Sequence, residues 1–79
     1  MMRLAVFGAS GRTGKEVLRL AELRGWGVHA LVRPSSRCET RSGVEVIPGY
    51  LDSPSDVRAT VRGVEAVCCL FGPRSPLPD

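Results

Sequence analysis

Three glycines at three-residue spacing, Gly8, Gly11 and Gly14, constrain the fold of this 79-residue chain more than any other feature. They follow the apolar segment Arg3–Phe7 and precede an amphipathic segment. An apolar segment without polar alternation is typical of a strand buried on both faces of a parallel sheet. Since glycine accepts backbone angles that other residues avoid, the pattern predicts a sharp connection from a buried strand into a helix.

The rest of the chain continues this alternation of strands and helices. A first helix is predicted over residues 12–24, and its apolar face consists of Gly14, Val17, Leu18, Leu20 and Ala21. Further strands are predicted over residues 28–33, 44–47 and 64–71. A second, short helix begins at Pro54, where Ser53 is the capping residue and Asp56 completes a capping box.

These elements predict an α/β fold, namely a Rossmann-type parallel sheet of four strands in the order 3-2-1-4 with flanking helices, truncated after the fourth strand. Hydrophobic residues make up 43% of the chain and charged residues 24%, a globular composition that argues against disorder. Residues 1–72 are therefore assigned to one half-domain. Residues 73–79 contain three prolines and are assigned to a tail.

The glycine turn has the properties that a dinucleotide pyrophosphate requires. Gly11 lacks a Cβ, so a pyrophosphate can approach the main chain, and Gly14 lets the helix pack closely on the first strand. Amides and the dipole at the helix N-terminus attract the phosphates. Side-chain donors are available on Ser10, Arg12 and Thr13. The alternative is a glycine-rich turn without a ligand. A Walker A loop is excluded, because Lys15 is followed by neither Ser nor Thr.

The residues at the end of the second strand indicate whether NAD or NADP is bound. An acidic residue at this point would bind the ribose 2′-hydroxyl of NAD, but the strand ends in Arg33. Arg33 and Arg37, together with a serine hydroxyl between them, favour the 2′-phosphate of NADP, because a guanidinium pairs with phosphate in a bidentate manner. The alternative is a solvated arginine-rich loop in a chain that is rich in arginine.

Three separated motifs resemble the atypical short-chain dehydrogenase/reductases, most closely the NmrA-like proteins and their flavin reductase/biliverdin-IXβ reductase branch. The motifs are LAVFGASGRTG at residues 4–14, VRPSSR at residues 32–37 and GVEAV at residues 63–67, so the resemblance covers nearly the whole chain. It implies that the pyrophosphate is held by Gly8, Ser10, Gly11, Arg12, Thr13 and Gly14. It also implies that the 2′-phosphate is held by Arg33, Ser36 and Arg37.

The resemblance further implies that Leu70 and Gly72 line the adenosine and ribose side, with Arg74 close by. One position departs from the family pattern, which has Gly-Asp-apolar after the third strand, whereas this chain has Gly49, Tyr50 and Leu51. Tyr50 would stack on adenine or cover the site, and Leu51 still offers its backbone amide. The family's aspartate role is not transferred to Asp52, which is displaced by two positions.

The resemblance implies an NADP(H)-binding N-terminal portion of an NmrA-like oxidoreductase. In that family the catalytic groups lie beyond the fourth strand, and no catalytic residue is assigned in this chain. Tyr50 does not begin a Tyr-x-x-x-Lys pair, because position 54 is proline, and His29 lies inside a predicted strand. Two alternatives remain, a non-catalytic NADP-sensing or regulatory protein and a truncated fragment with no independent activity.

The charge and the cysteines of the chain indicate which kinds of partner and which cellular location to expect. The net charge of +3 is mild, the basic residues are dispersed and aromatic residues are few, which argues against nucleic acid. No apolar run approaches a membrane span or a signal peptide. The three cysteines are expected to be reduced and buried, which predicts a cytoplasmic protein. Residues 64–71 would form an apolar strand at the edge of the sheet, so the isolated chain is expected either to self-associate through this strand or to be only partly folded.

Overall fold

The computed structural model describes residues 2–38 and 41–70. The elements run in the order β1 (Arg3–Phe7), α1 (Arg12–Leu23), β2 (Gly27–Val32), β3 (Val44–Pro48), α2 (Pro54–Val61) and β4 (Ala66–Cys69). The four strands form one sheet in the order β3-β2-β1-β4, and every neighbouring pair is parallel. The predicted Rossmann-type sheet is therefore confirmed.

The sheet has a helix on each face, and β1 supplies side chains to both. Val6 is fully buried in a cluster with Leu18 and Ala21 of α1, whereas Phe7 lies in a second cluster against Val57 of α2. Successive residues of a strand point to opposite faces, so an uninterrupted apolar segment fills both layers at once. This explains why β1 has no polar alternation.

The helix α1 ends one residue earlier than predicted and buries a narrower face. Leu20 is 39% exposed, so its assignment to the apolar face is wrong, whereas Gly14, Leu18 and Ala21 are buried. The helix closes in a Schellman motif around Gly25, whose φ is +70°. In this motif the Gly25 and Trp26 amides donate to the carbonyls of Glu22 and Ala21.

The bounds of three strands differ from the prediction, and the smallest change is that β3 ends at Pro48 rather than residue 47. β2 begins at Gly27, whose amide donates to the Met2 carbonyl at 2.9 Å, and it ends at Val32 rather than Arg33. β4 begins at Ala66 rather than residue 64, because the Val64 amide donates to the Val61 carbonyl in the turn after α2. The predicted end of this strand at residue 71 lies outside the described residues.

The capping box predicted at α2 is only half formed. Ser53 accepts a hydrogen bond from the Asp56 amide at 3.5 Å, as expected of a capping residue. The Asp56 carboxylate does not return to the Ser53 amide, which donates to the Tyr50 carbonyl instead. It accepts from the Tyr50 amide at 2.9 Å, so it holds the loop that precedes the helix.

Candidate dinucleotide-binding site

The three glycines of the turn have three different structural roles. Gly8 has a φ of +86°, the left-handed conformation that glycine adopts without strain. Gly11 is the N-cap of α1, and a Cβ at this position would meet no atom within 4 Å. Gly14 is buried, and a Cβ there would overlap the backbone of Ala9. The close packing predicted for Gly14 is therefore present, but its partner is the turn that follows β1.

The N-terminus of α1 is suited to binding an anion. Gly11 provides no side-chain cap, and the first turn contains no acidic residue. The first amides of a helix have no acceptor within the helix, and the helix dipole makes this end positive. Arg12 and Thr13 are exposed in this turn. A phosphate at this position would find free amides, a hydroxyl and positive charge together.

A cavity of about 310 Å³ lies at the carboxyl ends of β1, β2 and β3. In open α/β sheets, ligands bind in the crevice outside the carboxyl ends of the strands. The cavity is lined by Phe7, Gly8, Ser10, Leu31, Arg33, Ser36, Gly49 and Leu51. Residues from three separate predicted segments therefore meet around one space.

Arg33 is the one charged residue among the described residues that line this cavity. It follows the last residue of β2, and the Ser36 amide donates to its carbonyl at 2.8 Å, a tight turn that brings Ser36 into the same lining. None of the eight described residues that line the cavity is Asp or Glu. The described wall therefore combines one guanidinium with two serine hydroxyls and no opposing carboxylate.

A more open cleft of about 410 Å³ is also lined by Arg33, together with Tyr50, Leu51 and Asp52. Tyr50 and Leu51 are each 51% exposed, so both side chains project from the loop after β3. Tyr50 stands where the resemblance expects an acid. Asp52 is the only carboxylate among the described residues of this cleft.

The structure does not bring every predicted site residue to the cavity. Arg12, Thr13 and Arg37 are exposed and do not line it, and Gly14 serves packing. Leu70 packs against the α1-side cluster, and its amide donates to the Phe7 carbonyl at 2.9 Å. Two further predicted residues, Gly72 and Arg74, lie outside the described residues.

The apolar part of the cavity wall comes from Phe7 and Leu31, and neither residue was predicted as a site residue. These two residues are register partners at the ends of β1 and β2. The signal was available, because the last residues of adjacent parallel strands come together at the carboxyl edge of the sheet. An apolar surface beside a guanidinium suits a ligand that carries both a flat base and a phosphate.

Several other features of the described residues lie apart from this cavity. No disulfide joins the three cysteines, which all lie among the described residues. Cys69 is exposed and the other two are only partly buried, so the expected burial is wrong. The cytoplasmic location inferred from them stays a prediction. Within residues 2–38 and 41–70, no group of three His, Cys, Asp or Glu side chains could hold a metal ion. Neither described helix is long and apolar enough to cross a membrane.

Comparison with known proteins agrees with this geometry. Residues 8–79 match the model of a protein family described as NAD(P)H-binding. A crystal structure of a short-chain dehydrogenase/reductase superfamily protein from Agrobacterium tumefaciens, with bound NAD, is 28% identical and superposes with a TM-score of 0.70. The match covers 96% of this chain and 23% of that protein, so the chain spans about a quarter of the length of this solved structure.

The fold and the glycine turn define a Rossmann-type dinucleotide-binding unit. The chain belongs to the NAD(P)H-binding family, whose model covers it from the first glycine of the turn onward. Its cofactor is therefore a nicotinamide dinucleotide, and its fold is that of the short-chain dehydrogenase/reductase superfamily.

Proposed function

We propose that this chain is the NADP(H)-binding part of an NmrA-like oxidoreductase and that it selects NADP(H) over NAD(H). One observation carries the proposal: Arg33 and Ser36 line the cavity at the end of β2, and no carboxylate is among its described lining residues. A guanidinium stabilises a 2′-phosphate, whereas an acid at this position would repel it. The solved relative contains NAD, so the preference rests on Arg33 and not on that likeness.

In this proposal the pyrophosphate lies over the glycine turn, against the amides at the start of α1. Ser10 contributes a hydroxyl from within the cavity, while Arg12 and Thr13 contribute from the exposed first turn. The 2′-phosphate lies between Arg33 and Ser36, with Arg37 able to add charge from solvent. Leu51 offers its amide on the opposite wall, and Tyr50 covers or stacks on the adenine. The remaining assignments, Leu70, Gly72 and Arg74, are part of the proposal by family resemblance only.

The decisive experiment is a titration of the 79-residue chain with NADPH and with NADH, comparing wild type and Arg33→Ala. Loss of a charge-assisted pair of about 1.5–3 kcal/mol is expected to remove the preference for NADPH and to leave NADH binding unchanged. Arg58→Ala is the matched control, because it removes the same charge from an exposed position on α2. Equal affinity of the wild-type chain for the two dinucleotides would contradict the proposal.

The NmrA-like branch and its reductase activity are also proposed, on the strength of the VRPSSR motif at residues 32–37. This chain spans only about a quarter of its solved relative, so the reductase activity is proposed for the whole protein that contains these residues and is measured on that protein. NADPH oxidation in the presence of free flavin tests it. Turnover supports the reductase, whereas tight NADPH binding without turnover supports the sensing or regulatory alternative.

Self-association through β4 is the last part of the proposal. Among the described strands β4 pairs only with β1, and Val67 is 54% exposed on the strand. An apolar strand at the margin of a sheet presents unpaired backbone groups to another chain. Sedimentation of wild type and Val67→Lys tests this. A concentration-dependent dimer that the lysine abolishes is expected, and a wild-type monomer at all concentrations would contradict it.

A further inference from the structure

The loop between β3 and α2, residues 49–53, forms one wall of the cavity through Gly49 and Leu51. A wall that binds a ligand through its main chain loses affinity if it moves, because displacements of about 1 Å already cost binding and rate. The Asp56 carboxylate holds this wall. Its Oδ2 accepts from the Tyr50 amide at 2.9 Å, and Tyr50 lies between the two lining residues.

Gly49 makes room for that carboxylate. A Cβ at position 49 would lie 2.6 Å from both Cγ and Oδ2 of Asp56 and 3.0 Å from its Cβ. The Asp56 side chain therefore occupies the space that any other residue at position 49 would need. The Gly49 amide also donates to the Val32 carbonyl at 3.0 Å, which ties the start of the loop to the end of β2 next to Arg33.

Asp56 is itself fixed to the sheet through α2. Its carbonyl accepts from the hydroxyl of Thr60 at 2.8 Å, and Thr60 is fully buried. The Thr60 carbonyl in turn lies 3.0 Å from Nδ1 of His29 in β2. A carbonyl only accepts, so His29 carries a proton on Nδ1 and donates it. Hydrogen bonds thus link His29 in β2 to Thr60 and Thr60 to Asp56 in α2. The Asp56 carboxylate then connects α2 to the loop.

We infer that Asp56 is a positioning residue for the dinucleotide, an inference that rests on the proposed function of the cavity. Asp56 is not among the described lining residues. It acts through the main chain of residues 49–51, whose Gly49 and Leu51 line the same cavity as Arg33. The feature that matters is the acceptor oxygen opposite the Tyr50 amide. Its negative charge is not required.

The test compares NADPH dissociation constants of wild type, Asp56→Ala and Asp56→Asn at a temperature where circular dichroism reports each variant as folded. Asp56→Ala leaves the Tyr50 amide without its acceptor and is expected to weaken binding about tenfold. Asn retains an acceptor oxygen, so Asp56→Asn is expected to stay within about threefold of wild type. The emission of bound NADPH is recorded in parallel, because it reports the surroundings of the ligand and not the stability of the chain.

Gly49→Ala provides an independent arm. Its Cβ would displace the carboxylate and should reproduce the loss seen in Asp56→Ala. The double variant Gly49→Ala/Asp56→Ala is expected to bind no more weakly than either single variant, because both changes break the same contact. Multiplicative losses in the double variant would overturn the inference, since the two residues would then act separately.

Two further outcomes would also overturn it. If folded Asp56→Ala bound NADPH as tightly as wild type, Asp56 would have a purely structural role. If Asp56→Asn lost as much NADPH affinity as Asp56→Ala, the charge of Asp56 and not its acceptor oxygen would be required. Failure of the proposed function has a different signature, because it appears in the wild-type chain as equal binding of NADH and NADPH. In that case the same variants titrated with NADH still decide the role of Asp56.

Discussion

Gly14 lies against the backbone of Ala9, so that a Cβ at residue 14 would stand only 2.6 Å from the Ala9 Cα and closer still to its carbonyl. Both residues are buried where α1 begins beside the end of β1. The chain therefore uses the absence of a side chain to bring the helix N-terminus over the carboxyl edge of the sheet. The N-terminus of α1 owes its position to this contact.

Gly14→Ala should destabilise the fold, because the added methyl meets rigid backbone and not a mobile side chain. Overpacking of this kind costs about 1–3 kcal/mol. Urea unfolding followed by circular dichroism measures the difference. An unchanged unfolding midpoint would mean that α1 shifts away from Ala9 without cost.

Gly11→Ala is the matched control for Gly14→Ala, because it should affect NADPH binding more than the stability of the fold. A Cβ at residue 11 would meet no protein atom within 4 Å, so only the weaker N-cap preference of alanine acts and the free energy of unfolding is expected to fall by less than about 1 kcal/mol. The same methyl would occupy the approach of the pyrophosphate and should weaken NADPH binding. If Gly11→Ala bound NADPH as wild type does, the pyrophosphate would lie elsewhere.

His29 should prove structural, as its position in a strand suggests. Its Nδ1–H donates to the Thr60 carbonyl in the last turn of α2, where helix carbonyls lack partners within the helix. His29→Leu leaves that buried carbonyl unsatisfied and should cost about 1–3 kcal/mol in the free energy of unfolding. Glu45→Gln is the control, because the carboxylate is 73% exposed and 3.8 Å from Nε2 of His29, and it should change stability little.

The three cysteines should differ in their rates of alkylation. Cys69 is exposed in the single chain, whereas Cys38 and Cys68 are partly buried. Cys69 is therefore expected to react first with a water-soluble maleimide at concentrations where the chain is a monomer. Mass spectrometry of digested samples identifies the order of labelling. If Cys69→Ser still showed the fastest phase of maleimide alkylation, another cysteine would react first. β4 would then be covered in solution, as self-association through that strand would require.

The ion pair between Arg19 and Glu16 lies on the solvent side of α1 and perturbs a pKa. A hydrogen bond from Arg19 and the positive charge of Arg19 hold the pKa of Glu16 below its ordinary value of 4.5. A lowered carboxyl pKa stabilises the folded state above pH 4.5, and this stabilisation is lost as the pH falls through the folded pKa. Glu16→Gln should therefore lower the melting temperature slightly at neutral pH and not in strong acid. Both side chains are about half exposed, so a large effect at neutral pH would be unexpected.

Much of the architecture follows from local patterns in the sequence. The apolar run of β1, the glycine turn and the Ser53-Pro54 start of α2 each specify their element by their own chemistry. The strand order follows from the same patterns, because alternating strands and helices permit few parallel topologies. The first residues of β2 and β4 are harder to predict, because they depend on hydrogen bonds to the carbonyls of Met2 and Val61.

The site was predictable where a residue type is required by backbone geometry, as at Gly8, and where charge stands at a strand end, as at Arg33. The role of Asp56 was not predictable. Its position in the sequence fits a capping box, and only the absence of a side chain at Gly49, brought alongside by the chain reversal after β3, explains why its carboxylate contacts the Tyr50 amide instead. Contacts of this kind depend on tertiary packing that no local pattern encodes.

The central position of β1 also sets the order of events during synthesis on the ribosome. Its two neighbours are residues 27–31 and residues 66–69, so one edge of this strand stays unpaired until residues 66–69 have been translated. Pairing between such distant segments is slow and leaves apolar backbone open to other chains in the interval. The glycine turn and α1 follow β1 directly and can form earlier, so the pairing of β1 with β4 should be the last in the described sheet to form.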